Sequence, residues 1–228
     1  MKSAVIVFPG SNCDRDIKVA LEGCGSEVAM VWHGDKKLPD VDLVVVPGGF
    51  SYGDYLRSGA MAAHSPIMNE VKKFGEKGGY ILGICNGFQI LTEAHILPGT
   101  LMRNKNLKFI CKDVYLKPEN TDTAFTSGYK DKKAIRIPIA HHDGNFFASE
   151  KEIKELEKNK QIAFRYCTKS GSINDKSNPN GSMNNIAGIF NKEKNILGLM
   201  PHPERLWEKA VGGEDGKAMF ESLIANFG

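Results

Sequence analysis

The sequence predicts one α/β domain: a single open, mostly parallel, twisted sheet with helices on both faces and inserted antiparallel strands. Three observations lead there. Short, fully apolar, β-branched runs recur between Ala4 and Ile84. Segments of helical period separate them. No internal repeat and no Pro/Gly/Ser-rich linker interrupts the chain, so one domain is expected over residues 1–228. Strands apolar on both sides and joined by helices belong in a parallel sheet covered on both faces.

The elements follow in order. Ala4-Val5-Ile6-Val7-Phe8 is the first run and stops at Pro9-Gly10. Asn12 is placed to cap a helix reaching about Glu22, with Ile17, Ala20 and Leu21 forming its apolar stripe. Glu27 to Val31 is a second strand, and Leu43 to Val46 a third that ends at Pro47-Gly48-Gly49. Ser65-Pro66 opens a helix to about Glu76, with proline at its first position. Tyr80 to Ile84 is a fourth strand, followed by a helix from Gly87 to Ala94. Leu107 to Ala140 alternates as antiparallel strands do. Glu150 to Asn159 is a charged surface helix. Gln161 to Tyr166, Ile186 to Phe190 and Ile196 to Met200 are further strands, and Asn174 to Asn185 is a long polar loop. Asp215 to Phe227 closes the chain as a helix.

Composition excludes several function classes. The 30 basic and 27 acidic residues interleave to a net charge of +3, too balanced for a dedicated nucleic-acid binder. Apolar stretches such as Leu43 to Val46 fall far short of the ~20 residues of a membrane helix. The run after Lys2 is shorter than the roughly 7–15 residues of a signal-peptide core. The five cysteines are odd in number, widely spaced and free of C-x-x-C, which points to reduced thiols in the cytoplasm and to no structural metal.

One of those thiols stands in a chemical motif. Gly83-Ile84-Cys85-Asn86-Gly87 falls where the fourth strand meets a helix. This is the cysteine form of the nucleophile elbow, in which small residues two places before and after the nucleophile let the chain turn sharply. The turn aims the sulfur at a helix N-terminus, where the dipole favours a thiolate. Of six histidines, only His202 follows directly on a strand and has a carboxylate in useful register, in Met200-Pro201-His202-Pro203-Glu204. Pro203 favours an extended His202, and in an extended segment Glu204 points the same way. A carboxylate on one imidazole nitrogen leaves the other for the thiol. Cys85, His202 and Glu204 are therefore the candidate triad. Gly48-Gly49 follows the third strand, at the same sheet edge. A glycine N–H there and the Asn86 N–H can form an oxyanion hole, and glycine tolerates either sign of φ.

Together, Gly83-Ile84-Cys85-Asn86-Gly87-Phe88-Gln89 and Pro201-His202-Pro203-Glu204 resemble the signature pair of the class I (triad-type) glutamine amidotransferases. Four segments narrow the resemblance to the glutaminase subunits of phosphoribosylformylglycinamidine synthase in purine biosynthesis. They are Phe8-Pro9-Gly10-Ser11-Asn12-Cys13-Asp14, Val46 to Asp54, Asn178-Pro179-Asn180-Gly181-Ser182, and Met200 to Arg205. The resemblance implies a flavodoxin-like fold and hydrolysis of glutamine through a Cys85 thioester. It implies glutamine and oxyanion contacts from Gly48, Gly49, Phe50, Ser51, Asn86 and Gln89. It also implies delivery of ammonia to an ATP-dependent synthetase subunit that converts formylglycinamide ribonucleotide to formylglycinamidine ribonucleotide, with a small bridging third subunit. No cofactor is then expected in this chain, and ATP and magnesium are expected on the synthetase. In agreement, the chain has no G-x-x-x-x-G-K-[ST]; Gly212 to Ala218 has the wrong spacing. Ala140-His141-His142-Asp143-Gly144 departs from the family's A-H-G-E-G. A histidine in place of that glycine is strained wherever φ is positive, so no substrate contact is carried over from this loop.

Two other readings stand beside this one. A stand-alone cysteine hydrolase of the same fold, DJ-1-like, usually has His after the nucleophile and an acid in its first strand; here Asn86 follows Cys85, and Ser3 to Phe8 holds no acid. A non-catalytic docking module would lack a triad member, and none is missing.

Overall fold

The computed structural model describes residues 1–227. Its first half alternates strand and helix: β1 (Lys2–Val7), α1 (Asp14–Gly23), β2 (Glu27–Trp32), β3 (Leu43–Val46), α2 (Pro66–Glu76), β4 (Tyr80–Ile84) and α3 (Asn86–Glu93). Mostly strands follow: β5 (Thr100–Met102), β6 (Ile110–Pro118), β7 (Ile135–His141), β8 (Asn145–Phe147), α4 (Glu150–Lys158), β9 (Ile162–Cys167), β10 (Ile186–Phe190) and β11 (Ile196–Leu199), closed by α5 (Lys217–Phe227).

One nine-stranded sheet has the order β2-β1-β3-β4-β11-β10-β9-β6-β7, and β5 pairs with β8 apart from it. From β2 to β11 every pair is parallel. From β11 to β7 every pair is antiparallel. The inserted strands thus extend the parallel sheet. Burial explains the split. All four residues of β3 are buried and β4 is buried from Ile81 onward, as in strands covered on both faces. In β7 buried and half-buried residues alternate, as in an edge strand with one face covered.

Helix packing at the centre is tight. A β-carbon on Gly75 of α2 would lie 2.8 Å from the Cδ1 atoms of Ile81 and Ile196, and one on Gly83 of β4 would lie 2.5 Å from Leu91 of α3. Ile81 and Gly83 share a face, so α2 and α3 cover the same side of β4. α1 lies against β1 and β2 and meets α5.

One expectation changes in detail. Asn12 does not cap α1; Cys13 holds that position without a side-chain cap bond. Asn12 is drawn aside to pack on Gly49, whose β-carbon would fall 2.6 Å from its backbone nitrogen. The polar stretch after β9 does run as a loop, braced by short 3-10 turns at Asp175–Ser177 and Met183–Asn185.

Parallel β1, β3, β4 and β11 all end at one sheet edge. There the Pro9–Cys13 turn, the Pro47–Asp54 loop, Cys85 and the Met200–Arg205 segment converge. Such edges are where open α/β sheets place their sites.

Candidate active site

Cys85 sits between β4 and α3 with φ 51° and ψ −105°, a left-handed backbone that a β-carbon disfavours. Its surroundings fix it there. Its N–H donates to Leu199 O of β11 at 2.8 Å. A β-carbon on Gly87 would lie 1.8 Å from Val46 O, and one on Gly83 would lie 3.0 Å from Gly87. Both glycines of the motif are therefore needed for the turn to pass. The thiol is 4% exposed, and its Sγ points to Ala140 O at 3.7 Å.

His202 and Glu204 are both buried, and Nδ1 meets Oε1 at 2.6 Å. The expected pairing is present, but its geometry differs from the extended segment inferred from sequence. Pro203–Arg205 is a 3-10 turn with His202 at its N-cap, and this turn brings the carboxylate back to the ring. His202 N–H donates to Pro138 O of β7 at 2.9 Å, tying the segment to the antiparallel half. His202 Nε2 is buried without a partner. Burial, the largest influence, opposes charge on this ring; the negative charges of Glu204 and Cys85 outweigh it and raise its pKa to about 10. An imidazolium beside the sulfur is the form that stabilises a thiolate.

Cys13 closes the back of the site. Its sulfur, His202 and Glu204 bring S, N and O ligand atoms within 4.8 Å of one another. Arg205 Nη2 donates to Cys13 Sγ at 3.0 Å and Arg205 Nε to Asp16 Oδ2 at 3.2 Å. Burial pushes the Cys13 thiol up to about 12. A neutral thiol under a guanidinium suits packing rather than metal ligation, which needs the thiolate.

The glycine loop is held on both sides. Cys13 N–H donates to Gly48 O at 3.3 Å, Phe50 N–H to Gly10 O at 2.9 Å, and Ser51 N–H to Asn86 Oδ1 at 3.1 Å. Between these ties the Gly49 N–H has no acceptor among the described residues. Asn86 opens α3, where an N–H has no partner within the helix. Both donors thus belong to segments that the Ser51–Asn86 hydrogen bond ties together at the elbow. Gly49 has φ 134°, open to glycine alone, and a β-carbon there would strike Ser11 and Asn12.

The other expected residues divide. Ser51 is buried with its hydroxyl unpartnered. Gln89 accepts from Asn86 Nδ2 at 2.9 Å and donates to Asp143 O at 2.6 Å. Phe50 turns outward, 42% exposed, and packs against Phe109 with ring centroids 6.3 Å apart. Its N–H helps place the loop while its side chain belongs to the rim.

His142 is not strained: its φ is not positive, and its Nδ1 lies 3.3 Å from Asp143 Oδ1. Asp143 accepts from Ser58 Oγ at 2.8 Å. Buried amides support this loop, with Asn104 Oδ1 on His141 Nδ1 at 3.0 Å and Asn180 Nδ2 on Gly144 O at 2.7 Å. The Asn178–Ser182 motif is thus a brace for residues 141–144. Burial, the largest influence, lowers His141 to about 4, so its ring is neutral near the charged His202.

Sequence reasoning missed Cys13, Arg205 and Asp54 as neighbours of the site. Cys13 and Arg205 lie in segments that carried the resemblance, yet nothing in their spacing says that they meet. Asp54 has φ 54° and a buried, unpartnered Oδ1, and burial followed by repulsion from Asp143 raises it to about 6.

Comparison with known proteins gives the family. The CobB/CobQ-like glutamine amidotransferase domain matches residues 1–216. The phosphoribosylformylglycinamidine synthase subunit PurQ of Pelagibacter ubique is 56% identical over 99% of both chains. A chain in the structure of PurLQS from Thermotoga maritima superposes with a TM-score of 0.88 at 45% identity, covering 100% of this chain and 99% of that one. A glutamine amidotransferase from Thermotoga maritima shares the fold alone, at TM-score 0.59 and 16% identity over 99% of this chain and 91% of its own. The chain belongs to the CobB/CobQ-like glutamine amidotransferases and, within them, to the family of the PurQ subunits.

Proposed function

We propose that this chain is the glutaminase subunit of a phosphoribosylformylglycinamidine synthase, with Cys85 as nucleophile, His202 as acid and base, and Glu204 as the group that orients His202. The observation that carries the reading is the strained Cys85 beside His202, whose far nitrogen meets Glu204 at 2.6 Å. The Cys85 thiolate attacks the side-chain amide carbon of glutamine, and the carbonyl oxygen becomes an oxyanion between the Gly49 and Asn86 N–H groups. Collapse breaks the C–N bond, and the leaving nitrogen takes its proton from His202 and departs as ammonia. Neutral His202 then removes a proton from water, which attacks the thioester; glutamate leaves and the thiol is restored.

The ammonia goes to an ATP-dependent synthetase that converts formylglycinamide ribonucleotide to formylglycinamidine ribonucleotide in the cytoplasm. ATP and magnesium belong to that partner, and a small bridging subunit completes the complex. The name of the PurLQS structure supports an assembly of three kinds of subunit. The surface supports a docked partner: Phe50, Tyr55, Leu56, Leu107 and Phe109 are exposed, and the Phe50–Phe109 pair joins the two loops that carry them. No helix among the described residues is long and apolar enough to cross a membrane.

The test is to mix the chain with glutamine, quench in acid and weigh the intact protein. A mass increase of one glutamyl group, mapped to the peptide holding Cys85 and absent in Cys85→Ala, is expected. An adduct on another cysteine, or one that survives Cys85→Ala, would overturn the assignment.

A further inference from the structure

Asn86 is fully buried immediately after Cys85, at the first position of α3. A polar side chain in such a place is costly unless every polar atom is used, and both of its ends are. Oδ1 accepts from Ser51 N–H at 3.1 Å, and Nδ2 donates to Gln89 Oε1 at 2.9 Å. Gln89 Nε2 continues to Asp143 O at 2.6 Å, and that loop returns to the nucleophile through Ala140 O, 3.7 Å from Cys85 Sγ. The chain of bonds thus runs from the glycine loop, across the elbow, to the loop after β7.

We infer that the Asn86 side chain is a positioning residue that sets the spacing of the oxyanion hole. The inference rests on the proposed reading in which the Gly49 and Asn86 N–H groups form that hole. One donor is Asn86's own backbone. The other lies two residues before Ser51, whose N–H the Asn86 carboxamide holds. A single short side chain therefore fixes one donor relative to the other. An apolar group of the same size fills the space but leaves the Ser51 N–H and Gln89 Oε1 unpaired. The loop then relaxes and the Gly49 donor moves off the position where negative charge develops. Losing one such donor costs roughly 10²- to 10³-fold in rate. The loss falls on kcat, because the hole binds the transition state more strongly than the substrate.

The experiment uses Asn86→Leu and Asn86→Ser in the full chain, assembled with PurL- and PurS-type subunits. It measures glutamine hydrolysis and, separately, the rate at which iodoacetamide alkylates Cys85. Alkylation by this reagent forms no oxyanion, so it reports the thiolate and the intact elbow. The expected result for Asn86→Leu is a kcat about 100-fold lower, with KM for glutamine within about threefold and alkylation near the wild-type rate. Asn86→Ser is too short to reach Ser51 N–H or Gln89 Oε1 and adds no charge. It is expected to lower kcat in the same way with alkylation near the wild-type rate, and it keeps the test decisive if Asn86→Leu does not fold. Wild-type kcat in either folded variant, or a matching loss of alkylation, would overturn the inference. Cys85→Ala, run alongside, separates this outcome from failure of the underlying reading: if it still hydrolyses glutamine, the nucleophile assignment itself falls.

Discussion

At Cys85 the backbone carries a conformational cost that only a packed environment sustains, and the glycines at 83 and 87 show what that environment excludes. The residues proposed to do the chemistry were legible in sequence because each carries a local constraint: glycines flanking a cysteine, and prolines flanking a histidine. Their neighbours were not. Cys13 and Arg205 are far apart in the chain, and only the convergence of β1 and β11 at one sheet edge brings them to 3.0 Å. Two predictions belong here. His202→Ala should lower glutamine turnover nearly as far as Cys85→Ala. Glu204→Ala should be milder by about one or two orders of magnitude, because the orienting acid does not itself transfer the proton. Steady-state glutamate release checks both. The other concerns Asp54, whose carboxyl is raised to about 6, so the folded chain holds a proton that the unfolded chain has lost between about pH 4 and 6. The favourable state is complete below about pH 4, and stability is lost as pH rises through 6. For a fully buried carboxyl, a rise of that size corresponds to about 3 kcal/mol. Asp54 is partly exposed, and screening reduces this to about 1 kcal/mol. Asp54→Asn should therefore stabilise the chain by about that amount at pH 8 and by little at pH 4, measured by urea denaturation at the two pH values.

Elements position these residues through close approach. α3 lies so near the end of β3 that a methyl group on Gly87 would overlap Val46 O. Gly87→Ala should accordingly cost more than about 3 kcal/mol or prevent folding, since neither strand nor helix can withdraw without moving Cys85 or the glycine loop. Thermal denaturation decides it, and a fully stable Gly87→Ala would contradict the packing. Element identity was largely legible. β3, β4, β10 and α2 follow the apolar runs and the Ser65-Pro66 start almost residue for residue. The order of the antiparallel strands was not, because β6, β7 and β9 pair across long separations that no local pattern encodes. The turn at Pro203–Arg205 was hidden for a related reason: it packs against α1 and β7, which are distant in sequence, as well as α5.

On the scale of the whole molecule, the parallel half supplies the proposed nucleophile and base and the glycine loop. The antiparallel half supplies the wall at Ala140–Gly144 and the buried amides that hold it. Motif spacing pointed to a cysteine nucleophile with a histidine base, and the resemblance to the class I glutamine amidotransferases pointed to ammonia chemistry. The joining of the two halves through the His202 N–H and Pro138 O was visible only in the fold. The central claim is that Cys85 serves glutamine cleavage alone and that the ammonia is used by a partner. The direct measurement is formylglycinamidine ribonucleotide synthesis by the assembled complex carrying Cys85→Ala, supplied first with glutamine and then with ammonium salt. Synthesis should be lost with glutamine and retained with ammonium. Retention with glutamine, or loss with both, would contradict the account.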